Sequence, residues 1–439
     1  MYNHSAVYWR QVRCAVALAG LVSVAAAVCA PSARAQTYSV LHQFQGGAKD
    51  GENPESTLAM DTAGNLYGTV VNGHLCSPAP CSAALGMMFE LTPAGKVSVL
   101  HRFTGAPSGC GATGHPACDG ANPYGALLRN SANTTYGTTS EGGTANMGTV
   151  FVLAAAGERV LHSFAGPPGD GAFPYAGLIA DSGGNLYGTT SAGGAFNSGA
   201  IFKIAATGTE TLLYSFTGGA DGGFPYGGLL RSTAGTLYGT ASAGGNTTGN
   251  CFPGGCGVVF MLTPAGKLDV LHTFTGSPDG ASPYSPLVVD TAGDFAGTTY
   301  NGGTGACTNG CGVVFKVTTT GVENVMYSFQ GSPTDGAFPY AGLVRDSSGN
   351  LFGTTTYGGL PSNGTLVESG VVFELDAAGA ETVLYNFQGS PSDGAVPRAS
   401  LLLDSTGNLY GTTYYGGLVG LACGGEPSDS CGVVFKLTP

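Results

Sequence analysis

One pattern, repeated seven times along 439 residues, restricts this chain to a small group of folds. The segment Val325–Gly331 (VMYSFQG) returns as Val383–Gly389 (VLYNFQG) and as Val270–Gly276 (VLHTFTG). Its phenylalanine falls at Phe44, Phe103, Phe164, Phe216, Phe274, Phe329 and Phe387, 52 to 61 residues apart. Three more elements follow each one. An Asp-Gly pair with Pro three residues after the Gly runs from Asp50 and Pro54 to Asp393 and Pro397. A Gly-Thr within an N-L-Y-G-T-like element starts at Gly68, Gly137, Gly188, Gly239, Gly297, Gly353 and Gly411. A G-x-x-F element ends at Phe89, Phe151, Phe202, Phe260, Phe315, Phe373 and Phe435. Self-similarity at a fixed period marks stacked or radially closed repeats.

Each repeat reads as four strands, A to D. In the sixth, strand A covers Ala341–Asp346, strand B Asn350–Thr356, strand C Gly370–Leu375 and strand D Glu381–Phe387. Short apolar runs separated by Gly, Asn, Asp and Ser turns are the all-β pattern. Register then selects between an open stack and a ring. A lone strand D, Tyr38–Phe44, precedes the first complete set, and the chain finishes on strands A, B and C over residues 399–437. In a ring, the first strand completes the last blade and no sheet edge stays open. The expectation is an all-β, seven-bladed β-propeller of four-stranded blades, closed by the N-terminal strand and occupying residues 36–439.

The D-x-x-G-N-L-Y-G-T element, as in Asp181–Thr189 and Asp404–Thr412, resembles the repeats of bacterial two-component-regulator propellers. The fuller pattern V-L-x-x-F-x-G, D-G-x-x-P, N-L-Y-G-T-T and G-V-V-F-K-L resembles the GloVer (Gloeobacter/Verrucomicrobia) tandem repeats of exported bacterial proteins, also called autotransporter or choice-of-anchor repeats. The resemblance covers residues 37–439 and implies an exported repeat protein. It brings no activity and no catalytic residues.

Residues 1–35 read as a signal peptide: Arg10 and Arg13, an apolar stretch from Cys14 to Cys29, and Ala33-Arg34-Ala35 before the cleavage point. The expected locations are the periplasm, the cell surface or the medium. No later segment is apolar enough to span a bilayer, and no anchor is expected after the propeller. Without residues 1–35, 12 Lys+Arg face 27 Asp+Glu, a balance that repels nucleic acid and anionic lipid.

The D–A and B–C loops share one face of a propeller, and they carry the length variation and the cysteines. Five local pairs are expected as disulfides: Cys76 with Cys81, Cys110 with Cys118, Cys251 with Cys256, Cys307 with Cys311, and Cys423 with Cys431. No metal and no cofactor is expected. The Asp of each Asp-Gly pair suits a turn. The residue after the Pro breaks the symmetry. It is Tyr124, Tyr175, Tyr226, Tyr284 and Tyr340 in five blades, and Glu55 and Arg398 in the first and seventh, which adjoin in a ring. These seven are the candidate ligand contacts, since aromatic rings can stack on sugars. The histidines of strand D (His42, His101, His162, His272) read as packing residues. Catalytic motifs are missing, and no catalytic residue is assigned. The expected function is a non-catalytic binding or scaffold module for a glycan or another extracellular protein. The rival is a carbohydrate-active enzyme, hydrolase or lyase, drawing on Glu52, Glu55, Glu141, Glu368 or Glu426.

Overall fold

A computed structural model describes residues 36–73, 85–105, 119–248, 251, 254–360, 369–419, 423 and 430–438. Seven antiparallel sheets follow one another in the order A-B-C-D and form a seven-bladed β-propeller. In the sixth blade Val344–Arg345 pairs with Leu351–Thr355, which pairs with Val371–Leu375, which pairs with Glu381–Asn386. The seventh blade is shared between the ends of the chain. Thr37–Gln43 lies antiparallel to Val433–Thr438, from Thr37 opposite Thr438 to Gln43 opposite Val433, with a register shift between Val40 and His42. The expected closure by the first strand is therefore present.

Strand A is shorter than its sequence suggests, with a ladder of two residues rather than six. Its upstream backbone bonds to neighbouring blades instead. The Ala341 carbonyl accepts the Thr298 hydroxyl, and the Gly342 N–H donates to Ser400 Oγ. The first D–A loop also holds a single helical turn, Gly47–Asp50, which no periodicity announces.

The repeated residues are the ones that join blades. The Phe of each strand C meets the Phe ending strand D of the preceding blade, edge to face, with centroids 5.0 to 5.3 Å apart in all seven cases. The strand C ring lies across the Gly of Gly-Thr, where an added Cβ would stand 2.5 to 2.7 Å from its tip. The following Thr donates its hydroxyl to a carbonyl at the start of the next blade, at 2.7 to 3.5 Å. The last of these, Thr412 to Ser56, joins the seventh blade to the first.

The Asp-Gly aspartates are turn residues in every blade. Each accepts a backbone N–H just after strand D, at 2.6 to 3.0 Å. Each also bonds the His or Tyr of strand D, at 2.8 to 3.2 Å. The histidines thus do more than pack. Histidine Nε2 and the tyrosine hydroxyl reach the same carboxylate oxygen, so either residue can hold the loop.

Three of the five expected disulfides are formed, joining Cys251 to Cys256, Cys307 to Cys311 and Cys423 to Cys431. The other two are not among the described residues. Cys76 and Cys81 fall in the stretch 74–84, and Cys110 and Cys118 fall in the stretch 106–118. The bond expected between Cys76 and Cys81 and the bond expected between Cys110 and Cys118 therefore stay expectations from the sequence. Residues 1–35, expected as a signal peptide, also lie outside the described residues. Among the described residues no helix is long and apolar enough to cross a membrane.

Candidate functional site

The residue before each Pro of the Asp-Gly-x-x-Pro element has positive φ: Asn53, Asn122, Phe173, Phe224, Ser282, Phe338 and Val396, all between 55° and 59°. Asn accepts this conformation readily and β-branched Val does not. Two blades hold the residue in place. The Phe338 N–H donates to Cys311 O of the preceding blade, and its carbonyl accepts the Thr356 N–H of its own. Pro339 then restricts the chain, and the next side chain, Tyr340, is delivered into the central channel.

All seven residues that follow the Pro line that channel. Tyr124, Tyr175, Tyr226, Tyr284 and Tyr340 form an arc, with successive ring centroids 5.1 to 5.4 Å apart. Glu55 and Arg398 occupy the gap, with Arg398 Nη1 3.6 Å from Glu55 Oε1. They are not a surface pair, because the Glu55 side chain is only 8% exposed. Two overlapping cavities of about 230 and 460 Å³ share these seven residues. The deeper part is lined by small strand A residues, among them Ala126, Gly228, Ser285 and Gly342.

Tyr300 and Tyr357 also line the mouth, although the sequence reading did not single them out. A signal existed at one of them. The residue after Gly-Thr-Thr is Tyr300 in the fifth blade, where the second and third blades have Ser140 and Ser191.

The electrostatics of the gap are uneven. Burial pushes the Glu55 carboxyl up to about 7, and Arg398 opposes that rise. Oε2 of Glu55 is buried and has no hydrogen-bond partner. Burial acts against the Arg398 charge, but Glu55 and the surrounding tyrosines more than compensate and raise its pKa. The guanidinium lies 4.4 Å from the Tyr414 ring centroid. Burial also raises the phenols of Tyr124, Tyr175, Tyr226, Tyr284 and Tyr340, so all five stay protonated at neutral pH.

Of the acids considered for hydrolysis, Glu55 alone lines the cavity among the described residues. Glu52 is buried and Glu141 is exposed outside it, while Glu368 and Glu426 lie outside the described residues. Among the described residues four interblade clusters have the composition of a metal site; in one, Glu52 with Cys423 and Cys431, the cysteines are joined as a disulfide, and the other three each contain a histidine. They are His101 with Asp119 and Glu158, His162 with Asp170 and Glu210, and His272 with Asp279 and Glu323. Each offers three ligands where tetrahedral zinc takes four. The His–Asp bond also occurs at His42–Asp50, where the following blade has Val97 in the glutamate position. The bond therefore does not depend on the third residue.

Comparison with solved structures returns propeller-like folds. The extracellular domain of a one-component system from B. thetaiotaomicron superimposes with a TM-score of 0.50 at 12% identity, over 86% of this chain and 39% of that one. This chain thus spans well under half the length of that relative. A fungal alcohol oxidase of the AA5 family, in complex with copper, gives a TM-score of 0.52 at 13% identity, over 92% of this chain and 77% of the other. At such identities the likeness concerns the fold. No curated protein sequence matches. The Gloeobacter/Verrucomicrobia repeat model matches residues 86–307 and 308–439, the span in which the interblade Phe pairs and Asp-Gly turns recur. The chain belongs to the Gloeobacter/Verrucomicrobia repeat family.

Proposed function

We propose that this protein is an exported, non-catalytic binding propeller that takes a glycan or a segment of another extracellular protein at the channel mouth on its loop face. One observation carries the reading: five tyrosines and one Glu–Arg pair converge on a single cavity. Concave sites with aromatic walls and a few placed polar groups are where ligands bind. The export signal in residues 1–35 and the three disulfides support a location outside the reducing cytosol.

The enzymatic reading has one observation in its favour, a carboxyl held near neutral pH as a general acid requires. Glycoside hydrolysis ordinarily needs a second carboxylate across the bond. A single carboxylate lines the cavity among the described residues, which supports binding over hydrolysis. A glycan array run beside a reducing-sugar release assay tests both. Binding without release is expected. Replacing Tyr124, Tyr284 and Tyr340 by Ala should weaken that binding more than ~10-fold, given ~0.5–1.5 kcal/mol per aromatic contact. Undiminished binding by the triple variant would remove the channel mouth as the site, and product release would replace the binding reading with the enzymatic one.

A further inference from the structure

Resting on the channel mouth as the binding site, we infer that it selects a ligand carrying an organic ammonium group, with Glu55 as the counter-ion. The observation is the unequal state of the two charged residues in the gap. Arg398 is already occupied, facing Glu55 Oε1 and lying against the Tyr414 ring. Glu55 is only half occupied: Oε1 faces Arg398, while Oε2 is buried in the cavity wall without a hydrogen-bond partner. A buried carboxylate oxygen without a donor is costly; an ammonium N–H would supply the missing donor, and a quaternary N–CH₃ group would answer the charge without donating.

The rest of the lining suits the same group. Tyrosine π-surfaces attract cations, and several around one cavity make an ammonium cage. Among the described residues, none of the protein's own cations lies over the rings of Tyr124, Tyr175, Tyr226, Tyr284 or Tyr340. The acidic chain as a whole also favours a cationic visitor. A neutral sugar could donate a hydroxyl to Glu55 Oε2 but would bring no positive charge to the tyrosine rings.

The titratable groups around Glu55 are Arg398, Tyr124, Tyr175, Tyr340 and Tyr414, and Glu52 and Glu141 act on the same tyrosines. The phenols remain neutral and Arg398 charged through the neutral range, while Glu55 changes state there. Below about 7 its carboxyl is neutral and the attraction weakens.

Titration calorimetry of the purified chain with choline, and with its neutral tert-butyl analogue, tests the inference. Choline keeps its charge at every pH, so the protein alone sets the pH profile. Choline should bind about tenfold more tightly than the analogue at about pH 8, and the preference should fade by about pH 6. Glu55→Gln should remove the preference and its pH dependence while the circular dichroism spectrum stays unchanged. If that variant does not fold, the pH profile of the unaltered protein decides alone. Equal affinity for both compounds, or a preference that ignores pH, overturns the ammonium inference. Neutral glycans lost on replacing the three tyrosines, with choline silent, overturn it and leave the binding-site reading standing. Neither glycans nor choline bound at the mouth overturns both.

Discussion

Gly353 shows how strongly a single position in the repeat is constrained. An added Cβ there would lie 2.6 Å from the Phe373 ring and 2.9 Å from Leu343, both buried. Gly353→Ala must displace a ring that is itself held by Phe329. It should cost ~1–3 kcal/mol, the usual range for overpacking, and chemical denaturation would measure it. The glutamates between blades act through pH. Burial raises Glu158 and Glu381 from an ordinary value of 4.5 to about 7. A carboxyl raised on folding contributes stability that is fully present below the unfolded value and is lost as pH rises through the folded one. The denaturation midpoint should therefore fall between about pH 5 and pH 8. The double variant Glu158→Gln, Glu381→Gln should flatten that fall. An unchanged slope would show that these carboxyls titrate normally.

At the scale of the element, the D–A loop is built around its aspartate. Asp335 accepts N–H groups from Gln330 and Gly336 and the hydroxyl of Tyr327. Tyr327→Phe keeps the ring and removes one bond to a charged acceptor, which should cost ~1.5–3 kcal/mol in equilibrium unfolding. Asn122→Val tests the left-handed residue. It puts a β-branched side chain at φ 57°, and a loss of ~1–2 kcal/mol is expected. The Asp, Gly, Thr and Phe of these elements were legible in the sequence because each recurs in every blade with the same partner. Glu55 and Arg398 were legible for the opposite reason, since they break a position that is Tyr in the other five blades. The left-handed residue was hidden, because Asn, Phe, Ser and Val share no composition that betrays a backbone angle. The bond from His or Tyr to Asp was hidden too. It spans seven or more residues and is satisfied by two unlike side chains.

For the whole molecule, the first strand is the test of the ring. Without Thr37–Gln43 the backbone of Val433–Thr438 loses a partner, and the Tyr38 ring leaves its stack on Tyr385, 3.8 Å away. A chain starting at Gly46 also loses Phe44, which is fully buried against Phe89. Burial of each large apolar side chain contributes ~1.5–3 kcal/mol, so the shortened chain should melt much lower or aggregate through the open edge. A circular permutant joining residue 439 to residue 37 and opening at a hairpin should keep the parent's melting temperature. Equal stability of the truncated chain would count against closure by this strand.

The seven Phe pairs differ by only 0.3 Å in centroid separation, from 5.0 to 5.3 Å. Such uniform joints act as wedges, each turning the chain through one seventh of a circle. Gene duplication can add a repeat at any time, but an added repeat brings an eighth wedge cut to the same angle. Either every joint narrows together, against rings already in contact, or one blade is left outside the circle. Seven equal joints close this ring, and an eighth repeat would fit only if each of them narrowed.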